Sequence, residues 1–150
     1  MLRWLLQTDG SVVGLILRLT LAVVIFPHGA QKVLGWFGGQ GLKSTLEFFS
    51  SAGVPTGFAL LVMAAEFLGP LGLAVGLLTR VAAFGIACVM LVATITVHWP
   101  IGFFMNWDGT QQGEGFEFHL LALGIAIVLI IMGAGAWSVD RRLTSSSARR

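Results

Sequence analysis

Along the chain, apolar residues gather into four runs separated by short polar or glycine-rich stretches. The first extends from Ser11 to about Leu34 and is interrupted by Pro27, which predicts a kinked helix rather than two separate ones. A second runs from Pro55 to Leu78, with Gly53 ending the element before it and Pro55 suited to a first helical position. The third covers Val81 to Val97 and the fourth Phe116 to about Met132. Each approaches the length needed to cross about 30 Å of hydrocarbon. Only Thr79 and Arg80 remain as a turn between the second and third runs, so these two spans are expected as an antiparallel hairpin.

The connections carry patterns of their own. From Gly41 to Ala52, Leu42, Leu46 and Phe49 share one helical face while Lys43 and Glu47 share another, which predicts an interfacial helix between spans one and two. The stretch Pro100 to Gly115 is rich in glycine and aromatics. Its Phe103, Phe104 and Trp107, with Trp36, Phe37 and Trp99, suit an aromatic belt at the headgroup level. The pattern therefore predicts an all-α membrane protein, a four-transmembrane-helix bundle with an interfacial helix. It occupies residues 1–140 as one domain, without an internal repeat.

Composition sharpens this picture. Hydrophobic residues make up 56% of the chain and charged residues 11%, with a mean hydropathy of +0.88, too little polar surface for a water-soluble domain. A net charge of +2 with few scattered cations speaks against a nucleic-acid partner. The first run lacks a cleavage pattern after Phe26 and holds Arg18, so it is read as a span rather than a signal peptide. Arg3, Arg80, Arg141, Arg142, Arg149 and Arg150 fall on one side of the spans and only Lys32 and Lys43 on the other. That asymmetry predicts a multi-pass inner (plasma) membrane protein with both termini cytoplasmic and with residues 141–150 as a basic, disordered tail. The lone Cys88 forms no intramolecular disulfide and is read as a small packing residue.

Ionisable groups within the apolar runs cost at least about 2.5–3.5 kcal/mol each on insertion scales, so each needs a reason. Arg18, His28 and Lys32 fall within about a quarter-turn at 100° per residue, on a face expected to point inward. Glu66, midway along the second run, is expected to form a structural ion pair with Arg18. His28, His98 and His119, with Glu66 or Glu117, could in principle ligate a metal. However, Glu117 and His119 project about 200° apart, against the Glu-x-x-His spacing of bundle di-iron sites, and no metal or haem is expected. Quinone is the better chemical fit: His28, His98, His119 and Glu117, beside Trp36 and Trp99, combine hydrogen-bonding groups with an apolar slot at the membrane edge. His28, Glu66, His98 and His119 are the candidate catalytic residues, and interfacial histidines in an ordinary aromatic belt are the simpler alternative. Gly72 and Gly76 follow small-xxx-small spacing, which suits close packing within the bundle or a homodimer.

Four segments together, LILRLTLAVVIFPHGAQKVLGWFGG, AAEFLGPLGLAVGLLTRVAA, TVHWPIGFF and GAGAWSVD, resemble the DoxX family over about Val13 to Asp140. Matching positions include Arg18, His28, Lys32, Glu66, His98 and Asp140. The resemblance implies a four-helix inner-membrane protein among redox-associated subunits, linked to quinone-coupled oxidoreductase complexes or to assemblies handling thiol and oxidative stress. Partner redox subunits are implied with it. A single cysteine leaves this chain without a dithiol of its own. Two other classes remain open: a non-catalytic scaffold recruiting partner proteins, and a small-molecule or proton transporter using Arg18 and Glu66.

Overall fold

The structure is a computed structural model that describes residues 2–146, with side chains described from 4 to 145. Its described part is all helical, with α1 (Leu2–Leu6), α2 (Val12–Val33), α3 (Gly41–Ser51), α4 (Thr56–Val75), α5 (Thr79–Ala93), α6 (Glu117–Met132) and α7 (Val139–Ser146). A π-helical turn, Thr94–His98, prolongs α5. Among the described residues, three helices are long and apolar enough to cross a membrane: α2, α4, and α5 with its π extension. Helix α6 is as apolar but has only 16 residues, short of the ~20 that a span usually needs.

Local signals explain the ends. Ser11 caps α2 by accepting the Val13 N–H at 3.1 Å. Helix α4 stops at Gly76, whose φ of 69° is the left-handed conformation that closes a helix, with the Leu77 N–H returned to the Gly72 carbonyl at 2.8 Å. The expected turn at Thr79 and Arg80 is displaced to 76–78, and both residues lie in the first turn of α5. Leu78, at φ 51°, is strained for a branched side chain and needs support from elsewhere. Pro27 lies inside α2, which continues unbroken to Val33.

Helix α2 packs chiefly on α4, α4 on α5, and α5 on α6, so the four long helices close an antiparallel bundle around Leu21, Ile25, Leu73, Ile86, Met90 and Leu129. Its outward residues are apolar as well, Val23 (72% exposed) and Leu121 (70%) among them, as lipid contact requires. Cys88 lies on that outer surface rather than in the core. Gly72 and Gly76 face inward. A Cβ on Gly72 would meet the Leu77 carbonyl and Ala82, and one on Gly76 would overlap Ser138, so these glycines tighten the α4–α5 hairpin and its floor. The tail expected to be disordered from Arg141 is helical through Ser146, while residues 147–150, including Arg149 and Arg150, and the Arg3 side chain lie outside what is described.

Candidate functional site

Glycine at position 29 sets the depth at which α2 and α4 meet. A Cβ there would overlap the backbone of Glu66 and Phe67, so only glycine permits this approach. One turn further along α2, Lys32 leans back toward the helix N-terminus, as helical side chains do, and its Nζ lies 2.6 Å from Glu66 Oε2. The contact is one of charge more than of aligned hydrogen bonding, since Oε2 has no partner of hydrogen-bond geometry. Glu66 is 5% exposed, so this neutralising cation is what lets it stay buried.

The Arg18–Glu66 ion pair expected from the sequence does not form. Antiparallel helices pair positions of roughly constant sum, and contact between Gly29 and Glu66 places Arg18 opposite the end of α4. There its guanidinium donates to the Leu73 and Ala74 carbonyls at 2.7 Å each, to Ala134 at 3.1 Å, Ala136 at 3.3 Å and Trp137 at 3.0 Å. Arginine serves here as a multi-pronged donor to carbonyls at the end of α4 and in the 133–137 loop, of which Leu73 also accepts the Gly76 N–H.

Histidines gather at the Glu66 end. His98 ends the π turn, next to the first turn of α6, and the rings of His98 and His119 stand 4.0 Å apart at 39°. Thr94 and Thr96 donate their hydroxyls to the carbonyls of Met90 and Val92, four residues back, within the stretch where α5 widens into the π turn. His98 Nδ1 is 2.7 Å from the Glu114 carbonyl, which fixes its ring. His119 is 8% exposed, and its Nδ1 is buried without a hydrogen-bond partner. His28 lies on the exposed flank of α2 and reaches this pair through Phe118, with ring centroids 6.0 Å from His28 to Phe118 and 5.4 Å from Phe118 to His119. Among the described residues no three His, Cys, Asp or Glu side chains converge on a point where a metal could be held.

The other expected site residues are divided. Trp99 stacks on Phe116 at 5.2 Å and stays 65% exposed beside the histidines. Glu117 turns to the connecting loop, accepting the Met105 N–H at 2.9 Å and the Trp107 indole N–H at 3.2 Å. It therefore pins the loop over the bundle end. Trp36 meets Phe37 edge-on at 6.4 Å, in the loop after α2, and no ring contact joins it to the histidines.

Sequence reasoning missed the polar lock at the opposite end. Asp140, 1% exposed, accepts the N–H groups of Leu78 at 2.8 Å and Thr79 at 3.0 Å, capping α5 from outside its own chain segment and holding the strained Leu78. Arg80 donates to the carbonyls of Ile130, Ile131 and Gln7 and lies 4.7 Å over the Trp4 ring. A buried aspartate after a GAGAWSV stretch is a visible anomaly in sequence, but its partners are some 60 residues away. Chemically the two ends differ: one is a dense set of hydrogen bonds from Arg18 and Arg80 and to Asp140, in which Thr79 Oγ1 and Arg80 Nε stay buried without a partner, and the other holds a buried carboxylate, an unpartnered imidazole nitrogen and two neighbouring histidines.

Comparison with known proteins adds a third line. The DoxX family model matches residues 13–99. "Putative oxidoreductase CatD" of Bacillus subtilis (strain 168) is 30% identical over 126 residues, covering 84% of this chain and 83% of that protein. "Inner membrane protein YqjF" of Escherichia coli (strain K12) is 31% identical over 130 residues, covering 86% and 90% respectively. No solved structure matches.

Proposed function

Since this chain belongs to the DoxX family of membrane proteins, we propose that it is the membrane subunit of a redox complex and binds a quinone at the histidine end of its bundle. The observation that carries the reading is His119: a buried imidazole with an unpartnered Nδ1, beside His98, at the mouth of an apolar bundle. Such a nitrogen suits a carbonyl oxygen that must be hydrogen-bonded and must exchange protons. Phe118 and the Trp99–Phe116 stack supply the apolar walls that an aromatic head group needs.

Quinone, when bound, supplies two-electron, two-proton chemistry at its oxygens. His119 would hold the head group and exchange a proton at Nδ1, while His98, oriented by the Glu114 carbonyl, would exchange protons with the loop side. The Lys32–Glu66 pair keeps the interior near neutral beside them. With one cysteine, exposed on the outer face, the chain leaves thiol chemistry and the electron supply to partner subunits. On this reading α6 is the fourth span, both termini are cytoplasmic, and the complex sits in the inner (plasma) membrane.

Purification in mild detergent, followed by lipid extraction and mass spectrometry, tests the proposal. Quinone and redox subunits should accompany the wild type, and His119→Gln should lose the quinone while keeping its thermal stability. Absence of quinone from the wild type, together with no quinone-dependent turnover in the native complex, removes the reading. A scaffold is the second reading, favoured by the carbonyl lock at the arginine end, which is purely structural. It gains if Gln at positions 28, 98 and 119 leaves the redox phenotype intact while Gly29→Ala abolishes assembly.

A further inference from the structure

Beside the last turn of α2 lies an open groove of about 330 Å³, between that turn, the loop at Gly39 and Gln40, and α3. Its size is at the low end of ligand pockets, about 300–1,000 Å³, which suits a head group and not a whole lipid. Phe48 and Phe49 form an apolar wall, while Gln31, Gln40 and Thr45 give it a polar rim. Lys32 lines it and keeps 29% of its side chain accessible. An ammonium has three N–H donors, and among the described residues Nζ is ion-paired with Glu66 alone, so donors remain for the groove. Lys32 is the penultimate residue of an apolar span and α3 is amphipathic, so the groove stands where hydrocarbon gives way to head groups.

We infer that this groove binds the phosphate of an anionic phospholipid, with the Lys32 ammonium as the anchor and Phe48 and Phe49 against the start of an acyl chain. The inference needs only a membrane location and stands apart from the quinone proposal. Glu66 competes with the phosphate for the same ammonium, which fixes the sign of the substitutions below.

Full-length protein in detergent micelles, examined by native mass spectrometry and thermal melting, provides the test. Phosphatidylglycerol should be retained about fivefold over phosphatidylcholine, the weight of one cation near an anionic head group. Lys32→Gln should erase that preference, whereas Lys32→Arg and Lys43→Gln should keep it, since Lys43 is 91% exposed and does not line the groove. Glu66→Gln should strengthen retention. Gln40→Trp, at an exposed rim position, should fill the groove and weaken retention whether or not Lys32→Gln folds. Equal retention of both lipids by the wild type, unchanged retention of phosphatidylglycerol in Gln40→Trp, weaker retention in Glu66→Gln, or stabilisation by inorganic phosphate matching that by phosphatidylglycerol would each overturn the assignment.

Discussion

Replacing Arg18 with Met separates the two possible roles of the costliest side chain in the bundle. Arg18 is 2% exposed and serves five carbonyls, of which Ala134, Leu73 and Ala136 are met in buried contacts. Leu73 also accepts the Gly76 N–H at 3.1 Å, so Arg18→Met leaves the Ala134 and Ala136 carbonyls as the buried orphans. At about 1–3 kcal/mol per unpaired buried group the loss is about 2–6 kcal/mol, and relief of guanidinium desolvation brings the expectation to about 2–4 kcal/mol. Equilibrium unfolding in mixed micelles measures it, and a double-mutant cycle locates its origin. Glu66 stands seven to eight residues along α4 from the carbonyls of Leu73 and Ala74, roughly 10–12 Å at 1.5 Å per residue. Arg18→Met and Glu66→Gln should therefore add to within about 0.5 kcal/mol, while Lys32→Met and Glu66→Gln should couple by about 0.5–3 kcal/mol. A coupling above about 1 kcal/mol between Arg18 and Glu66, or a loss below about 1 kcal/mol for Arg18→Met alone, would refute the argument.

Two further outcomes follow from backbone geometry. Gly29→Ala forces α2 away from the Glu66 carbonyl and should cost about 1–3 kcal/mol, whereas Gly124→Ala, where an added Cβ meets nothing within 4 Å, should be neutral or stabilising by up to about 1 kcal/mol in the same unfolding assay. Asp140→Asn keeps one acceptor of two and weakens the charge at the N-terminus of α5. A loss of about 0.5–2 kcal/mol and faster amide exchange at Leu78 and Thr79 should follow, and unchanged exchange there would contradict the capping role.

Much of the fold was legible because lipid imposes a simple rule on apolar runs. Expected spans of Ser11–Leu34 and Pro55–Leu78 correspond to Val12–Val33 and Thr56–Val75, and the Gly41–Ala52 helix to Gly41–Ser51. The hairpin turn was misplaced by a few residues because Thr79 and Arg80 look like a polar break, while Gly76 and Leu78, in left-handed conformations, make the turn. The histidine grouping was foreseen from depth alone. Its finer geometry was not, since the closeness of His98 and His119 depends on where the π turn meets α6, and Glu117 is drawn off by the Met105 and Trp107 N–H groups of a loop that hydropathy says little about.

Sequence by itself determined which long segments are helical and apolar, and which few polar side chains within them must find partners, though not the short helices α1 and α7. Those follow from hydrophobic length and from the cost of an unpaired charge in hydrocarbon, both properties of a segment alone. Tertiary structure decided who the partners are. A helical wheel gives the face a residue occupies but not the level at which two helices touch, and that level is set by backbone contact at Gly29. With the register fixed there, Lys32 meets Glu66, and Arg18, eleven positions before Gly29, slides past it to the carbonyls at the far end of α4.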